Sequence, residues 1–266
     1  MNKIDFLKSV VVLDTETTNL IPEKAEIVEI AAARYTGSIW TVDSMLLGSI
    51  EPIPPEASAK NHISNRMIAG LPTFTNRAKD IEPLIHTDTF LVAHNCKYDQ
   101  TVLKKAWEDC EFFDLAKKMS NPKKWICTHR LAKKLLSYEF NDMQYNLSYL
   151  RYKLDLPIPD DFGSHRADVD TTVCAVLFEF LVDYALATDQ LIENDDLPEQ
   201  LHYLCWSPQK ILHWPFGKHK GKLLSDIETD YYKWALQNMD SLNESHKNFD
   251  KDLAASVADE LSKRFE

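Results

Sequence analysis

The sequence predicts an α/β fold in which one domain with a mixed β-sheet is followed by a smaller C-terminal module. Short β-branched runs come first along the chain and helical patterns dominate later, as expected for helices that pack on a sheet. With 266 residues, 44% of them hydrophobic, the chain can bury one sizeable core and still supply a second, smaller unit. We place the main domain at residues 1–187, an acidic linker at 188–205 and the small module, with a helical tail, at 206–266.

Four segments are predicted to be strands because they are rich in apolar or β-branched residues and are bounded by polar or turn-forming residues. They are Ser9–Leu13, Glu26–Tyr35, Ile39–Ile50 and Thr89–Ala93. The proline-containing stretch Glu51–Pro72 predicts an irregular surface connection between the third and fourth strands.

Helical patterns follow in the remainder of the chain, and Asn146 is expected to be the N-cap of one of them. The predicted helices are Thr75–Ile85, Asp99–Glu108, Thr128–Ser137, Asn146–Lys153, Ser164–Leu186, Asp230–Met239 and Phe249–Phe265.

The net charge of −11 argues against a nucleic-acid partner, because an acidic surface repels phosphate groups. Two segments depart from this average. Residues 115–138 contain seven basic residues and no carboxylate, and residues 207–225 contain four lysines and no carboxylate. Such runs occur on solvated helix faces as well as on phosphate-binding surfaces, so the charge pattern alone leaves the ligand open.

The cysteines and the hydropathy pattern indicate the cellular compartment in which the protein is expected to act. The five cysteines form no C-x-x-C pair, which indicates neither a zinc site nor a disulfide framework and favours reduced thiols. No apolar run has the length of a membrane span or the flanks of a secretion signal. We therefore expect a cytoplasmic protein that has no membrane partner.

Asp14 and Glu16 are the first candidate site residues, since they end the apolar run Val11-Val12-Leu13-Asp14-Thr15-Glu16. Alternate residues of a strand face the same side, so both carboxylates can reach one metal cluster. Carboxylate oxygens are suitable ligands for Mg²⁺ or Mn²⁺. The pattern is also compatible with a strand that ends in a polar turn, where Asp14 would only cap the turn.

Two later motifs add further candidates. Asp99 falls in the first turn of a predicted helix, where a carboxylate can also serve only the helix dipole. His165 and Asp170 lie five residues apart at the start of a long amphipathic helix. Asp168 competes with Asp170, but on an ideal helix the two lie about 200° apart, so only one of them can face the site.

The three motifs, in this order and spacing, resemble the DEDDh exonucleases of the DnaQ-like superfamily over roughly residues 9–185. The resemblance implies a ribonuclease H-like fold with a five-stranded mixed sheet flanked by helices. It also implies catalytic roles for Asp14, Glu16, Asp99, His165 and Asp170, and makes Asp168 a bystander. Asn19 stands where relatives commonly have glycine, a replacement that still tolerates a left-handed backbone.

The reaction implied by this resemblance is two-metal hydrolysis of a terminal phosphodiester. Two Mg²⁺ or Mn²⁺ ions, held by the four carboxylates, would position the attacking water and stabilise the departing 3′ oxygen. His165 would accept the proton of the water, since a neutral imidazole is available near neutral pH. The product would be a nucleoside 5′-monophosphate.

Candidate substrate contacts lie beside these motifs. We expect Thr17 and Asn95 to contact the substrate, and Leu20 and Ile63 to provide apolar surfaces on which a terminal base stacks. Leu20 directly follows the first motif, and His62-Ile63 resembles the segment with which relatives hold the 3′ nucleotide. Both apolar residues are also compatible with simple burial. The basic segment Lys117–Lys134 could follow the phosphate backbone.

The C-terminal module contains a lysine-rich loop, Phe216-Gly217-Lys218-His219-Lys220-Gly221-Lys222, followed by Tyr232-Lys233-Trp234-Ala235. These segments resemble the C-terminal module of the bacterial exonuclease X subfamily. A glycine-flanked lysine loop can offer backbone amides and ammonium groups to phosphate, so we expect Lys218, Lys220 and Lys222 to bind substrate. A tight hairpin with solvated lysines is the alternative.

These resemblances imply a 3′-to-5′ exodeoxyribonuclease of DNA repair or degradation, acting on single-stranded or frayed 3′ ends. An RNA exonuclease is the alternative within the enzyme class, because contacts to the 2′-hydroxyl are not visible in a sequence. A catalytically silent nucleic-acid-binding module on the same fold is a second alternative. The presence of all five catalytic residue types argues against it.

Overall fold

In the computed structural model, which describes residues 1–87, 89–136, 144–159, 166–193, 195–246 and 248–265, five strands form one mixed sheet. The strands are β1 (Val11–Thr17), β2 (Ile27–Tyr35), β3 (Trp40–Leu46), β4 (Leu91–Ala93) and β5 (Trp125–Cys127), in the order β3-β2-β1-β4-β5. β1 pairs antiparallel with β2 and parallel with β4, while β2–β3 is antiparallel and β4–β5 is parallel. The predicted five-stranded mixed sheet is therefore confirmed.

The chain divides into two compact units, residues 1–205 and residues 206–266, and the sheet belongs to the first. The helices of that unit, the last of which ends at the boundary, are α1 (Lys3–Ser9), α2 (Pro55–Asn61), α3 (Asn65–Ile68), α4 (Phe74–Ile85), α5 (Lys97–Asp109), α6 (Phe113–Ser120), α7 (Thr128–Leu136), α8 (Leu147–Lys153), α9 (Ala167–Ala187) and α10 (Leu197–Trp206). Asn146 caps α8 as predicted, since its Oδ1 accepts the Tyr149 N–H at 2.9 Å. Within the described ranges, no helix has both the length and the apolar character that crossing a bilayer requires.

The central strand β1 positions the polar residues of the site. Its apolar residues Val11, Val12 and Leu13 are fully buried, because β1 lies between β2 and β4 and α9 packs across it. β4 ends at Ala93, whereas β1 continues through Asp14 and Glu16 to Thr17. The strand predicted to end at Leu13 is thus longer than expected, and its two carboxylates lie beyond the carboxyl end of the neighbouring parallel strand, where open α/β sheets commonly bind ligands.

Two predicted irregular segments are helical instead. The stretch Glu51–Pro72 contains α2 and α3, so its prediction as an irregular connection is wrong. Pro55 occupies the first position of α2, where the fixed φ of proline favours the helix and its missing N–H needs no partner. The predicted linker 188–205 includes most of α10, which buries Leu197 and Leu201, while the acidic residues Asp189, Glu193, Asp195 and Asp196 precede that helix.

Residues 206–266 form a unit with its own core, built around α11 (Thr229–Asn238) and α12 (Lys251–Phe265). Both helices lie within two residues of their predicted bounds at each end. The buried residues of this core are Trp214, Leu224, Ile227, Tyr232, Ala235, Leu242, Leu253 and Val257. Arg264 of α12 donates to the carbonyl oxygens of Ile227 at 2.6 Å and Ser225 at 2.9 Å. The helical tail is therefore part of the packing of this unit.

Candidate active site

Three carboxylates meet where β1 ends beside α9. Asp14 and Glu16 come from β1, and Asp170 comes from the first turn of α9. One ligand oxygen of each lies within 4.8 Å of one oxygen of each of the other two. Asp170 joins this cluster and Asp168 does not; an oxygen of Asp168 instead accepts the Val169 N–H at 2.9 Å. The structure thus places the first and third motifs together, and it resolves the choice between the two aspartates of α9.

The fourth predicted carboxylate, Asp99, lies in the first turn of α5 and lines the same cleft. It is buried, and its Oδ1 accepts a hydrogen bond from the Thr15 hydroxyl at 2.7 Å. Thr15 is the residue between Asp14 and Glu16, so this bond ties the second motif directly to the first. Asp99 also acts on Asp14 electrostatically, since its charge helps to raise the pKa of that carboxyl.

The electrostatics of the cluster favour binding of a cation. Burial, followed by repulsion from Asp99, Glu16 and Asp170, raises the pKa of Asp14 well above its usual value. Burial, followed by the charge of Asp170, raises the pKa of Glu16 to about 7. Burial also raises the pKa of Asp99 to about 7. Carboxylates that repel one another in this way are stabilised by a nearby cation, and their oxygens are the ligands that Mg²⁺ and Mn²⁺ prefer, so these residues fit divalent metal ions.

An ion pair positions the start of α9, which carries Asp170. Glu29 of β2 is only 1% exposed, and Arg166 donates to its two oxygens at 2.9 Å and 2.6 Å. The Ala167 N–H also donates to Glu29, at 3.0 Å. Bidentate arginine–carboxylate pairs fix orientation as well as distance, so the first turn of α9 is anchored to the sheet. This pair was not predicted from the sequence, although a glutamate inside the apolar run Ile27-Val28-Glu29-Ile30 is a signal for a buried charge.

The carboxylates lie in a cleft of about 1030 Å³ that also contains three of the predicted substrate contacts. Thr17, Leu20 and Asn95 all line it. The Leu20 side chain is 74% exposed, so it offers an apolar surface to a ligand. Asn95 has a left-handed backbone with φ of 63°, which turns the chain between β4 and α5.

Ile63, the fourth expected contact of this unit, does not line the cleft. It is fully buried and packs with Val28, Ile53 and Ile68. Its prediction as a stacking surface is wrong, because the left-handed His62, with φ of 58°, ends α2 and Ile63 continues into the core. The preceding Asn61 instead faces the cleft, and its amide donates to the Thr17 carbonyl at 3.2 Å.

Several residues of the cleft were not predicted from the sequence. The Tyr98 hydroxyl bonds to Thr17 and to the Asn19 carbonyl, so it ties α5 to the end of β1. Lys60 of α2 lines the cleft, and its positive charge offsets part of the rise in the pKa of Glu16. Lys60 is the one lysine or arginine among the described lining residues. The motifs gave no signal for either residue, because their positions depend on contacts between distant segments.

One histidine in the cleft is unsuitable as a proton acceptor. Both ring nitrogens of His94 are engaged, Nδ1 with the Thr128 hydroxyl at 2.9 Å and Nε2 with the Tyr145 carbonyl at 2.8 Å. Burial, followed by repulsion from His129, lowers the pKa of His94 to about 4, so its ring is neutral near neutral pH. The predicted proton acceptor, His165, lies outside the described residues, next to Arg166.

Lys218, Lys220 and Lys222 lie in the second unit, on a closed turn. The N–H groups of Lys220, Gly221 and Lys222 donate to the carbonyls of Gly217, Trp214 and His219, at 3.1, 2.8 and 3.0 Å. These three amides are used within the loop and do not face a ligand, whereas the lysine ammonium groups can bind phosphate. All three lysine side chains are exposed.

The mixed sheet, with a carboxylate cluster at the end of its central strand, defines a nuclease of the ribonuclease H-like class that is suited to divalent metals. The chain belongs to the RNase_T exonuclease family, whose profile matches residues 11–178. It is therefore an exonuclease, and the resemblance to DnaQ-like exonucleases is confirmed.

Curated relatives agree with this family. The chain is 28% identical to Exodeoxyribonuclease 10 of Escherichia coli K12 over 237 residues, which cover 87% of this chain and 92% of the relative. It is 31% identical to the DNA polymerase III subunit epsilon of Treponema pallidum over 64% of this chain and 74% of the relative. The 3′-5′ exonuclease DinG of Staphylococcus epidermidis is 33% identical over 73% of this chain, but the match covers only 20% of DinG.

Solved structures show the same fold. Exonuclease X in complex with 5′ overhanging duplex DNA matches with a TM-score of 0.53 and 27% identity, over 74% of this chain and 99% of that structure. Escherichia coli exonuclease I in complex with a dT13 oligonucleotide matches with a TM-score of 0.56 over 68% of this chain and 42% of that structure. Its identity is 13%, so that match supports the fold alone.

Proposed function

We propose that this chain is a 3′-to-5′ exodeoxyribonuclease that hydrolyses the terminal phosphodiester of DNA and releases nucleoside 5′-monophosphates, in DNA repair or degradation. The observation that carries the proposal is the cluster of Asp14, Glu16 and Asp170, in a chain that matches Exodeoxyribonuclease 10 over 92% of that enzyme. The substrate is DNA with a single-stranded or frayed 3′ end. The catalytic unit acts in the cytoplasm, and the predicted domain 1–187 lies within the compact unit of residues 1–205.

The four carboxylates Asp14, Glu16, Asp99 and Asp170 would hold two divalent cations, Mg²⁺ or Mn²⁺. When bound, such ions lower the pKa of a coordinated water and stabilise negative charge on the departing 3′ oxygen. The hydrogen bond from Thr15 fixes the Asp99 carboxyl group beside β1. The Glu29–Arg166 pair keeps the first turn of α9, and with it Asp170, in place before substrate arrives.

His165 accepts the proton of the attacking water. Its place in the sequence, directly before Arg166 and five residues before Asp170, supports this role, because the family motif pairs a histidine with an aspartate at this spacing. His94 does not compete for the role, since both of its ring nitrogens already have partners.

Leu20, Thr17 and Asn95 bind the terminal nucleotide. Leu20 is exposed at the cleft, where its side chain can pack against the face of a base. Thr17 and Asn95 border the carboxylates and offer polar groups to the sugar and phosphate. Lys60, on the same cleft, supplies a positive charge for phosphate beside the acidic cluster.

The test is digestion of matched DNA and RNA strands that carry the label at the 5′ end, with Mg²⁺ or Mn²⁺. We expect a ladder of DNA strands that shorten from the 3′ end, and slower or no shortening of RNA. A phosphorothioate at the 3′-terminal linkage should block the reaction, whereas the same change at the 5′-terminal linkage should have no effect. Faster digestion of RNA, or insensitivity to the 3′ block, would contradict the proposal.

Asp14→Asn is the variant that tests the site. It keeps the size of the side chain but removes a metal-binding charge, so we expect degradation to fall by roughly a thousandfold or more. Retained trimming by this variant would refute the site assignment even if the wild-type protein degrades DNA.

A further inference from the structure

Aromatic rings form a continuous row in the unit of residues 206–266. The Trp214 ring is fully buried, and it contacts Phe216 on one side and Tyr231 on the other, with centroid distances of 5.7 Å and 5.3 Å. Tyr231 in turn contacts Trp234, with centroids 5.4 Å apart. The outer members are accessible, since Phe216 is 37% and Trp234 is 49% exposed. The core of the unit thus extends to the surface as exposed aromatic faces.

The lysine loop is fixed beside these rings. The backbone N–H of Trp214 donates to the Lys222 carbonyl, and the backbone N–H of Gly221 donates to the Trp214 carbonyl, both at 2.8 Å. The loop is therefore closed on the backbone of the buried tryptophan. The ring of His219, between Lys218 and Lys220, lies 4.2 Å from the Tyr231 ring, measured between centroids. The loop lysines and the aromatic row therefore belong to one surface.

The charges of this surface are available to a ligand. Lys218, Lys220 and Lys222 form no ion pair with any carboxylate in the described ranges. No carboxylate occurs between Ser207 and Ser225. We call the combination of Phe216, Tyr231, Trp234, Lys218, Lys220 and Lys222 the aromatic–lysine surface.

Exposed aromatic faces beside unpaired lysines are complementary to a strand with unpaired bases. Bases stack on aromatic rings, while ammonium groups bind the phosphates that join the bases. A duplex offers its phosphates but hides the faces of its bases, so it can use only half of these contacts.

We propose that the aromatic–lysine surface binds single-stranded nucleic acid by stacking unpaired bases on Trp234 and Phe216, with the loop lysines on the phosphates. This contact is additional to the cleft that contains the carboxylates. It rests on the proposed function in one respect, namely that nucleic acid is the ligand. Binding here needs neither a metal ion nor hydrolysis.

The test measures binding of the full chain to labelled oligo(dT) and to a blunt DNA duplex by fluorescence anisotropy, in EDTA so that no strand is cut. We expect Trp234→Ala to weaken oligo(dT) binding about tenfold, which lies within the range known for loss of one stacked base, and to change duplex binding by less than about twofold. Trp234→Phe should restore most of the affinity, because phenylalanine also stacks. Quenching of tryptophan fluorescence by oligo(dT) should be reduced in Trp234→Phe, an effect that a purely structural role would not produce.

Two sets of variants complete the test. Tyr203→Ala removes an even more exposed aromatic residue that is not part of this surface and should leave binding unchanged. Replacing Lys218, Lys220 and Lys222 with Ala should reduce the slope of the logarithm of the affinity against the logarithm of the salt concentration by roughly 0.7 for each lost phosphate contact. Trp234→Ala should leave that slope unchanged.

The possible failures are distinguishable. If wild-type protein degrades DNA but Trp234→Ala binds oligo(dT) as tightly as wild type, this inference is overturned and the proposed function stands. Equal weakening of oligo(dT) and duplex binding by Trp234→Ala would also overturn it, because stacking on unpaired bases would not be the cause. If wild-type protein neither binds nor degrades DNA, both the proposed function and this inference are overturned.

Discussion

The carboxylate cluster and the aromatic–lysine surface are built in opposite ways. The cluster unites half-buried side chains from β1 and α9, beside the buried Asp99 of α5, and holds them together despite their mutual repulsion. The aromatic–lysine surface comes from residues 216–234 alone, and its members are largely exposed. Chemistry needs groups that are fixed before the substrate arrives, whereas capture of a strand tolerates looser and more local contacts. Substitutions in the cluster should therefore reduce kcat strongly, whereas substitutions in the aromatic–lysine surface should weaken binding moderately.

The largest effect should come from comparing the two neighbouring aspartates of α9. Asp170→Asn removes a member of the metal-binding cluster, so kcat for DNA degradation should fall by roughly a thousandfold or more. Asp168→Asn changes the same chemical group two residues away, outside the cluster, and should change kcat by less than about threefold. Steady-state kinetics of the two variants provide the measurement. Equal losses would mean that the helix start, and not the cluster, controls activity.

A smaller effect is expected from the Glu29–Arg166 pair, which anchors α9 and whose Glu29 lies opposite Glu16 in the sheet and helps to raise the pKa of Asp14 and Glu16. Glu29→Gln keeps the shape of the side chain but leaves the guanidinium of Arg166 without its counter-ion. We expect the free energy of unfolding to fall by about 2 kcal/mol, less than for a fully buried pair because Arg166 is partly exposed, and kcat to fall roughly tenfold.

Chemical denaturation and steady-state kinetics measure the two effects of Glu29→Gln separately. Asp109→Asn is the control, because it breaks the exposed Lys105–Asp109 pair and should cost less than about 1 kcal/mol. An unchanged kcat in Glu29→Gln, together with reduced stability, would show that the pair supports the fold without positioning Asp170.

The smallest effect concerns the pH dependence of stabilisation by metal ions. Because the pKa of Glu16 is raised to about 7, the folded metal-free protein holds a proton that the unfolded chain has already released, so stability declines as pH rises from the unfolded pKa through about 7. A divalent cation binds the deprotonated carboxylates. Added Mn²⁺ should therefore raise the thermal midpoint by a few degrees more at about pH 8 than at about pH 6.

Thermal unfolding with and without Mn²⁺ at both pH values provides the measurement. Asp168→Asn should keep this pH-dependent stabilisation, and Asp170→Asn should lose most of it. A larger stabilisation at the lower pH would contradict the charge argument.

The parts of the site that could be predicted from the sequence are those set by short-range periodicity. Strand alternation placed Asp14 and Glu16 on one side of β1, and the helical period separated Asp168 from Asp170. The fold class followed from the order of apolar runs and helical patterns. These features depend on neighbours within a few residues, and the structure agrees with them.

The remaining features depend on contacts that cross long stretches of chain. Glu29 and Arg166 are 137 residues apart, so a glutamate in an apolar run signals a buried charge, but its partner cannot be identified without the fold. Ile63 and Leu20 are similar apolar residues beside motifs, yet one is fully buried and the other is 74% exposed. They differ because the chain continues into the core after α2, where Ile63 lies, and toward the cleft after β1, where Leu20 lies. The direction of the chain is set by tertiary packing and by the left-handed residue His62, which hydrophobicity does not report.

The packing of α12 has a consequence for the order in which the protein acquires structure during synthesis. Leu253 and Val257 complete the core around Trp214 and Tyr232, and Arg264 ties the turn at 225–227. On the ribosome, the sheet of the first unit can close as soon as α9 has emerged, and α10 soon afterwards. The second core lacks Leu253 and Val257 until α12 has been synthesised. Until then Trp214 and Tyr232 lack part of their packing, so we expect this unit to fold only after α12 is available.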